Sequence, residues 1–200
     1  QRPIEFGADV VVHSATKYLG GHSDLLAGAL IARDPAFGER LYTLQNATGA
    51  TLPPQECWLL IRSLKTLALR VQRHCDTALT VARWLEDHPH VEKVYYPGLE
   101  NHPGHGLNQK QSDGFGGMLS FRTDTPERAA QALEKLQLIS FAESLGGVES
   151  LMTLPAVQTH GDIPEEERER LGITDTLLRL SVGLEEAYDI IADLDQALSY

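Results

Sequence analysis

Cysteine is scarce in this sequence. Its 200 residues include two, Cys57 and Cys75, which are 18 positions apart. On one continuous helix these residues would be about 27 Å apart, whereas a disulfide needs α-carbons within about 7 Å of each other. We therefore expect two free thiols, a state that is typical of a reducing cytoplasm.

Basic residues and long apolar runs are scarce as well. The sequence has 17 lysines and arginines against 28 aspartates and glutamates, which gives a formal net charge of −11. Nucleic acids bind to basic patches, so this balance argues against a nucleic-acid partner. No apolar run reaches the length of about 20 residues that a membrane-spanning helix needs. We expect neither nucleic acid nor a membrane among the partners.

The most informative stretch runs from Asp9 to Asp24. A run of valines leads to Ser14, Thr16 and Lys17, and a glycine pair follows. Because β-branched residues favour strands, the pattern predicts a buried strand that brings these polar side chains to its carboxyl end. Open α/β sheets bind their ligands at that end of their strands.

The three polar residues suit one kind of cofactor. A desolvated lysine amine forms a Schiff base with an aldehyde, because burial favours the neutral amine. The hydroxyls of Ser14 and Thr16 can donate hydrogen bonds to a phosphate. An aldehyde-reactive lysine beside phosphate donors is what pyridoxal 5'-phosphate (PLP) requires. From these residues alone, a surface lysine at the end of a strand is an equally good interpretation of Lys17.

The same stretch resembles the PLP-attachment signature of the Cys/Met-metabolism family of trans-sulfuration enzymes. Every defined position of that signature is satisfied, by Asp9, Val10, Ser14, Ala15, Thr16, Lys17, Tyr18, Leu19, Gly21, His22 and Ser23. The resemblance implies that Lys17 is the catalytic Schiff-base lysine. It also implies that Ser14 and Thr16 bind the cofactor phosphate.

Arg179 stands within the apolar run from Leu177 to Val182. A guanidinium in a buried strand is costly unless it is paired, and its planar fork suits a carboxylate. A structural ion pair or an exposed position on an alternating strand remains an alternative. The run resembles the family's Arg-Leu-Ser-Val-Gly segment, in which the arginine binds the α-carboxylate of the amino-acid substrate.

Residues 142–150 form a further segment that resembles the family. The resemblance implies that Ser144 helps to hold the same substrate carboxylate. Glu143 falls at a position that varies with the reaction among family members, and a glutamate there resembles cystathionine γ-synthases and γ-lyases. Its carboxylate could receive the distal ammonium of cystathionine. An exposed acid at the end of a strand is an equally good interpretation of Glu143.

The resemblance also implies a fold class, which is α/β. We expect the C-terminal part of a fold-type I PLP-dependent transferase. In it, residues 1–67 form the end of the large, mainly parallel sheet domain, and residues 68–200 form a small C-terminal α/β domain with an antiparallel sheet. The chain reaches Lys17 too early to build a doubly wound sheet upstream of it. We therefore expect it to be the C-terminal half of a longer protein.

The clearest helical pattern begins after Pro53 and Pro54 and ends at His88 and Pro89. Its apolar spacing predicts one helix of about 34 residues, roughly 50 Å long. We place the domain boundary within this helix, near Leu67. Its basic residues are expected on the exposed face, namely Arg62, Lys65, Arg70 and Arg73. The motif at residues 62–67 resembles the family's Arg-Gly-Leu-Lys-Thr-Leu, with Ser63 in place of the glycine.

Shorter patterns predict the remaining elements. Strands are expected at residues 10–13, 26–31, 91–96, 116–122, 138–142 and 177–182. Helices are expected at residues 36–45, 126–136 and 186–198, and loops at residues 46–51 and 99–114. The second loop holds His102 and His105. No cysteine is close to them, and Pro103 and Gly104 exclude a helical ligand spacing, so we expect no metal site.

The resemblance finally implies a reaction class. It is γ-elimination or γ-replacement on a sulfur amino acid, with cystathionine or an activated homoserine as the substrate. A cystathionine β-lyase, another family lyase or a sulfhydrylase remains an alternative. An inactive fragment that acts as an assembly module is an alternative of a different class. Family members are usually homotetramers, so oligomerisation is implied as well.

Overall fold

A computed structural model describes residues 1–199. The first part of the chain contains a 3₁₀ turn (Pro3–Phe6), β1 (Val10–Ser14), β2 (Gly28–Ala32), α1 (Pro35–Thr48) and α2 (Pro54–Leu64). The elements that follow are α3 (Leu67–Glu86), β3 (Val91–Tyr95), α4 (His105–Gln111), β4 (Met118–Thr123), α5 (Pro126–Lys135), β5 (Ser140–Phe141), β6 (Leu151–Thr153), α6 (Glu165–Arg170), β7 (Leu177–Ser181) and α7 (Ala187–Leu198).

The strands of residues 1–199 form two sheets. The first is the antiparallel pair of β1 and β2, in which Val12 lies opposite Leu30. The second has five strands in the order β3-β4-β7-β6-β5. Its neighbours are antiparallel except for β5 and β6, which run parallel. The small α/β unit with a largely antiparallel sheet is therefore confirmed.

The core lies between this sheet and the helices α3, α5 and α7. Along β4, Leu119, Phe121 and Thr123 are buried and alternate with half-buried residues, as expected for a strand with one covered face. Opposite the sheet, Leu85 of α3 and Ile190 of α7 are fully buried. Each large apolar side chain buried here contributes about 1.5–3 kcal/mol.

A local sequence signal marks the start of α5, and a side chain from α7 holds the turn that follows it. Thr125 accepts a hydrogen bond from the N–H of Arg128 at 3.2 Å, and proline fills the first position of the helix. This start is as predicted. After the helix, the carboxylate of Asp193 accepts hydrogen bonds from the N–H groups of residues 137, 138 and 139, at 2.8–2.9 Å. A side chain of α7 thus holds the turn that leads into β5.

The single long helix predicted after Pro53 is wrong. The chain forms α2 and α3 instead, with Lys65 and Thr66 between them. Both of these residues donate their N–H groups to carbonyls three positions earlier, at 3.3 and 3.2 Å, and Thr66 leaves the helical region with φ −109° and ψ 2°. The apolar period continues through the break, so the pattern alone could not reveal it.

The expected exposure of Arg70 is also wrong, because its side chain is only 4% exposed. Arg62 and Lys65 are exposed as predicted, and Arg73 is half-buried. Arg70 turns inward because its guanidinium binds the Ser63 carbonyl, just before the helix break, and the Tyr18 carbonyl in the turn after β1. The division of the chain into residues 1–67 and 68–200 stays a prediction.

The prediction that the first strand is buried is wrong. Val12 is 72% exposed and Leu30, opposite it, is 56% exposed. The ribbon of β1 and β2 contacts the 3₁₀ turn and α1, but no second sheet covers it within residues 1–199. In residues 1–77 the buried apolar side chains are Ala15 and Leu25.

Several element boundaries differ from the predictions. Helix α1 continues to Thr48, into the predicted loop at residues 46–51, and α4 lies inside the predicted loop at residues 99–114. The strand predicted at residues 26–31 begins two residues later, at Gly28, and β5 has two residues. The short elements β6 and α6 were not predicted, because three to six residues carry too little periodicity.

Both cysteines are free thiols in the described structure. Among residues 1–199 no cluster of histidine, cysteine or carboxylate side chains could hold a metal ion. In the same residues, no helix has both the length and the apolar character to span a membrane.

Candidate active site

Lys17 lies in a tight turn directly after β1. Its N–H donates to the Ser14 carbonyl at 3.1 Å, the N–H of Gly20 donates to the Ala15 carbonyl at 2.7 Å, and the N–H of Gly21 donates to the Lys17 carbonyl at 2.7 Å. Gly21 has φ +67°, a conformation that favours glycine. The end of the strand, the lysine and the glycine pair therefore form one hydrogen-bonded turn.

Three segments that are distant in sequence meet at Ser144. The Nζ of Lys17 donates to the Ser144 hydroxyl at 3.0 Å. The Nη2 of Arg179 donates to the Ser144 carbonyl at 3.3 Å. The structure thus brings three predicted site residues together: an amine, a hydroxyl and a guanidinium.

Ser144 has φ 84°, in the left-handed region that side chains other than glycine rarely adopt. Such a conformation costs about 1–3 kcal/mol and persists where surrounding contacts enforce it. Two residues later, the N–H of Gly146 donates to the buried Ser181 hydroxyl at 2.9 Å, which ties this loop to the end of β7. The strained conformation lets Ser144 present its hydroxyl and its carbonyl to two different cations.

Arg179 is half-buried on β7, between Ser120 of β4 and Thr153 of β6. Burial lowers its pKa, and the nearby Glu143 carboxylate opposes that change. Arginine is effectively always protonated, so the group remains a cation. Its hydrogen bond goes to a neutral carbonyl. An incoming carboxylate would accept a stronger hydrogen bond from the same guanidinium.

A cavity of about 820 Å³ opens beside Ser144. Its size is typical of sites for small ligands. The polar residues of its lining include Thr16, Asp24, Glu56, Glu143, Ser144 and Glu149. The four carboxylates in this set make the cavity acidic, which suits a ligand that carries an ammonium group.

The two hydroxyls predicted to bind phosphate have different surroundings. Thr16 donates to the Ala27 carbonyl at 3.3 Å and accepts the Ala27 N–H at 3.0 Å. Its one hydroxyl hydrogen is therefore already used, and it would have to leave Ala27 to donate to a phosphate. The Ser14 side chain is exposed at the end of β1.

Two buried residues of α3 were missed as part of the site. Arg70 binds the backbone of Tyr18 and Leu19, and the ring of His74 lies edge-on against the Tyr18 ring at 5.5 Å. Tyr18 and Leu19 both belong to the turn that carries Lys17. Arg70 and His74 are four residues apart, so they share one face of the helix. That spacing was the available signal, but the apolar pattern of α3 concealed it.

His74 is fully buried, and burial is the main cause that lowers its pKa. The Arg70 cation lowers the pKa further, while the Gly147 backbone and the Glu185 carboxylate oppose this. Neither ring nitrogen forms a hydrogen bond of ordinary geometry with any of residues 1–199. His74 is therefore a neutral imidazole at neutral pH.

The chain is similar in sequence to known cystathionine lyases. The chain is 52% identical over 198 residues to the cystathionine gamma-lyase of Bacillus subtilis (strain 168), and that match covers 99% of the chain and 52% of the relative. It is 51% identical to the cystathionine beta-lyase of Coxiella burnetii, again over 99% of the chain and 52% of the relative. The chain thus spans about half the length of the curated relatives it matches.

The fold also matches that of a solved structure. The cystathionine gamma synthase of Xanthomonas oryzae pv. oryzae, solved in complex with cystathionine, superposes with a TM-score of 0.95 at 46% identity. The match covers all of this chain and 52% of that one. A sequence model described as Cys/Met metabolism PLP-dependent enzyme matches residues 1–199. On this sequence and structural similarity, the chain belongs to the Cys/Met metabolism family of PLP-dependent enzymes.

Proposed function

We propose that the protein is a PLP-dependent trans-sulfuration enzyme that acts on a sulfur amino acid by γ-elimination or γ-replacement. The observation that carries this proposal is the meeting of Lys17 and Arg179 at Ser144. An amine that can react with an aldehyde and a cation that can bind a carboxylate then lie on two sides of one residue. An α-amino acid needs this pair of groups for attachment and orientation.

The residues around Lys17 fit the cofactor. Lys17 is a half-buried residue, and its amine contacts a residue of the cavity wall. Lys17 would hold the cofactor aldehyde, and the hydroxyls of Ser14 and Thr16 would hold the phosphate. When bound, PLP supplies an electrophilic aldehyde and a ring that withdraws electrons from the substrate α-carbon.

The roles of the chain's own residues follow from their chemistry. Arg179 binds the substrate α-carboxylate and fixes the orientation of the bond that breaks. Lys17, once its amine is free, removes the α-proton and then moves a second proton at the β-carbon. The Ser144 hydroxyl holds the lysine amine in place before and after these transfers. The Glu143 carboxylate, exposed at the cavity wall, receives the distal ammonium of cystathionine.

A cystathionine β-lyase is the second candidate. It is favoured by the relatives, which carry both names at nearly equal identity, 52% and 51%. The two reactions break different bonds of cystathionine. Incubation of the intact protein with cystathionine separates them, because γ-elimination releases cysteine and β-elimination releases homocysteine.

The attachment of PLP to Lys17 is tested by reducing the intact protein with borohydride and mapping the pyridoxyl group by mass spectrometry. We expect the group on Lys17, and we expect Lys17→Ala to lose both the attachment and the activity. A matched control is Lys65→Ala, which removes an exposed amine between α2 and α3. A pyridoxyl group on another side chain would refute the role of Lys17, and the absence of any pyridoxyl group would favour the assembly-module alternative.

The arrangement of the whole enzyme belongs to the same proposal. We infer that residues 1–67 complete a large cofactor-binding domain and that residues 68–200 form the small domain. Assembly into a homotetramer is supported by the resemblance of the attachment segment to the family. Light scattering of the intact, PLP-loaded protein tests the assembly, and a monomer at micromolar concentration would contradict it.

A further inference from the structure

Arg70 is buried on α3 and binds two separate parts of the chain. Its Nη1 donates to the Tyr18 carbonyl at 2.8 Å, and its Nη2 lies 3.5 Å from the Leu19 carbonyl. The same Nη2 donates to the Ser63 carbonyl at 3.0 Å, and its Nε donates to the Thr66 hydroxyl at 3.1 Å. The guanidinium therefore links the turn that follows Lys17 to the break between α2 and α3.

The polar partners of Arg70 are neutral oxygens. Within residues 1–199 no carboxylate forms an ion pair with it. Arg70 is a cation that is only 4% exposed, and no ion pair among the described residues explains its burial. The directions of its hydrogen bonds to these oxygens are what explain an arginine at this position. The planar fork reaches acceptors in different directions, which the single ammonium of a lysine cannot do.

The backbone at Gly21 lies directly against this cation. A Cβ added to Gly21 would lie 1.9 Å from Nη1 of Arg70 and 2.6 Å from its Cζ. With the guanidinium in this position there is no space for a side chain at residue 21, and the φ of +67° also favours glycine. The turn of Lys17 and the guanidinium fit against each other with no room for a side chain.

His74, one turn further along α3, supports the same turn from a second side. Its ring packs against the ring of Tyr18, and its Cβ would lie 2.8 Å from a Cβ added to Gly117. The side chain and the backbone of Tyr18 are thus both held by α3. Since Tyr18 directly follows Lys17, these contacts restrict the orientation of the Lys17 peptide.

We propose that Arg70 is a positioning residue, which fixes the direction of the Lys17 side chain by binding the carbonyls of the next two residues to the α2–α3 junction. It touches neither cofactor nor substrate and acts through the backbone. A movement of α3 against α2 would then be transmitted to the reactive amine. The consequence for catalysis rests on the proposed function, but the consequence for the turn does not.

Hydrogen exchange of the intact protein, stripped of PLP, tests the effect on the turn. In Arg70→Lys we expect the amides of residues 15–22 to exchange at least about tenfold faster, because bonds from a charged donor to the turn are lost. Peptides from β4, β7 and α7 should keep their wild-type rates. Gly21→Ala, which displaces the guanidinium and leaves Arg70 in the sequence, should increase exchange in the same segment.

The control is Arg73→Lys, on the same helix. Arg73 is half-buried and binds the Glu185 carbonyl at 3.0 Å and the Glu186 carboxylate at 2.9 Å, so its replacement should leave residues 15–22 unchanged. Unchanged exchange in Arg70→Lys would overturn the proposal. A uniform increase in all peptides would overturn it too, because Arg70 would then support the fold in general.

A second measurement uses the PLP-loaded protein. In Arg70→Lys we expect kcat to fall about tenfold while KM changes less than about twofold, because Arg179 lies on a different element. If borohydride attaches no pyridoxyl group to Lys17 of the unmodified protein, the proposed function fails and the exchange result still decides on Arg70. If the group is attached and both kcat and exchange are unchanged in Arg70→Lys, the role of Arg70 alone is refuted.

Discussion

At the scale of single residues, the contact between Ser144 and Arg179 leaves a guanidinium that could bind a carboxylate. The guanidinium is half-buried, and a backbone carbonyl occupies one of its donors at 3.3 Å. The strained backbone at Ser144 turns that carbonyl toward it. A substrate carboxylate would then replace this neutral carbonyl as the acceptor, with little rearrangement of the Arg179 side chain.

Replacing Arg179 with lysine should weaken substrate binding selectively. A lysine cannot form the paired hydrogen bonds of the guanidinium fork, so we expect KM for the amino acid to rise about tenfold to a hundredfold. Steady-state kinetics measure this change, and borohydride labelling of Lys17 should be unaffected. Arg122→Lys, on the neighbouring strand β4, is the matched control. An unchanged KM in Arg179→Lys would remove this residue from the substrate site.

His74 leads to a prediction about pH. Its ordinary pKa is 6.5, and burial lowers that value in the folded protein. The unfolded chain therefore binds a proton below about pH 6.5 that the folded protein takes up only at lower pH, so the free energy of unfolding falls as the pH drops through this window. Below the folded pKa, the contribution no longer changes with pH.

Urea denaturation of wild type and His74→Phe at pH 5, 6 and 7 measures this contribution. The variant should lose part of the decrease in unfolding free energy below pH 6.5. His88, whose pKa is also lowered by burial, supplies a further part that remains. Identical slopes in wild type and His74→Phe would contradict the assignment.

At the scale of the elements, the pairing of α5 with α7 depends on a buried carboxylate. Asp193 accepts the N–H groups of three successive residues after α5 and is 6% exposed. Asp193→Ala should lower the free energy of unfolding by about 3 kcal/mol, because three backbone donors, of which the N–H of Ile139 is buried, lose their acceptor. Asp189→Ala, on the exposed side of α7, should cost less than about 1 kcal/mol. Urea denaturation measures both, and equal losses would contradict the buried role.

The elements that sequence patterns predicted well have strong local signals. Thr125 and Pro126 mark the start of α5, and the apolar run around Arg179 marks β7. The break between α2 and α3 has no such signal, and Arg70 there binds the Ser63 carbonyl and the carbonyl of Tyr18, which is distant in sequence. The site itself joins Lys17 to a residue 127 positions away. Resemblance to a family could suggest that contact, but periodicity could not.

At the scale of the whole molecule, the apolar core is distributed unevenly. The buried cluster begins at Ala78, whereas the ribbon of β1 and β2 leaves Val12, Leu30 and Ile31 exposed. Stability rises with the apolar area that is removed from water. Residues 67–199 should therefore be the more stable part of the 200-residue chain.

Limited trypsin digestion of the 200-residue chain tests this difference. We expect the first cuts at Arg33 and Arg40, next to β2 and in α1, and a resistant product that retains residues 67–199. Arg83 and Lys93 serve as internal controls, since they are also exposed but belong to elements packed on the core. Early cleavage at Arg83 or Lys93 would show that the two parts are equally stable.

The position of Ser144 between two cations has a consequence for ligand affinity. Its hydroxyl contacts the Lys17 amine and its carbonyl contacts the Arg179 guanidinium. A carboxylate that displaces the carbonyl frees the backbone of the residue whose hydroxyl also holds the lysine. Binding of one ligand at the Lys17 amine and binding of a carboxylate at the Arg179 guanidinium are thereby thermodynamically linked. Each ligand should therefore alter the dissociation constant of the other by the same factor.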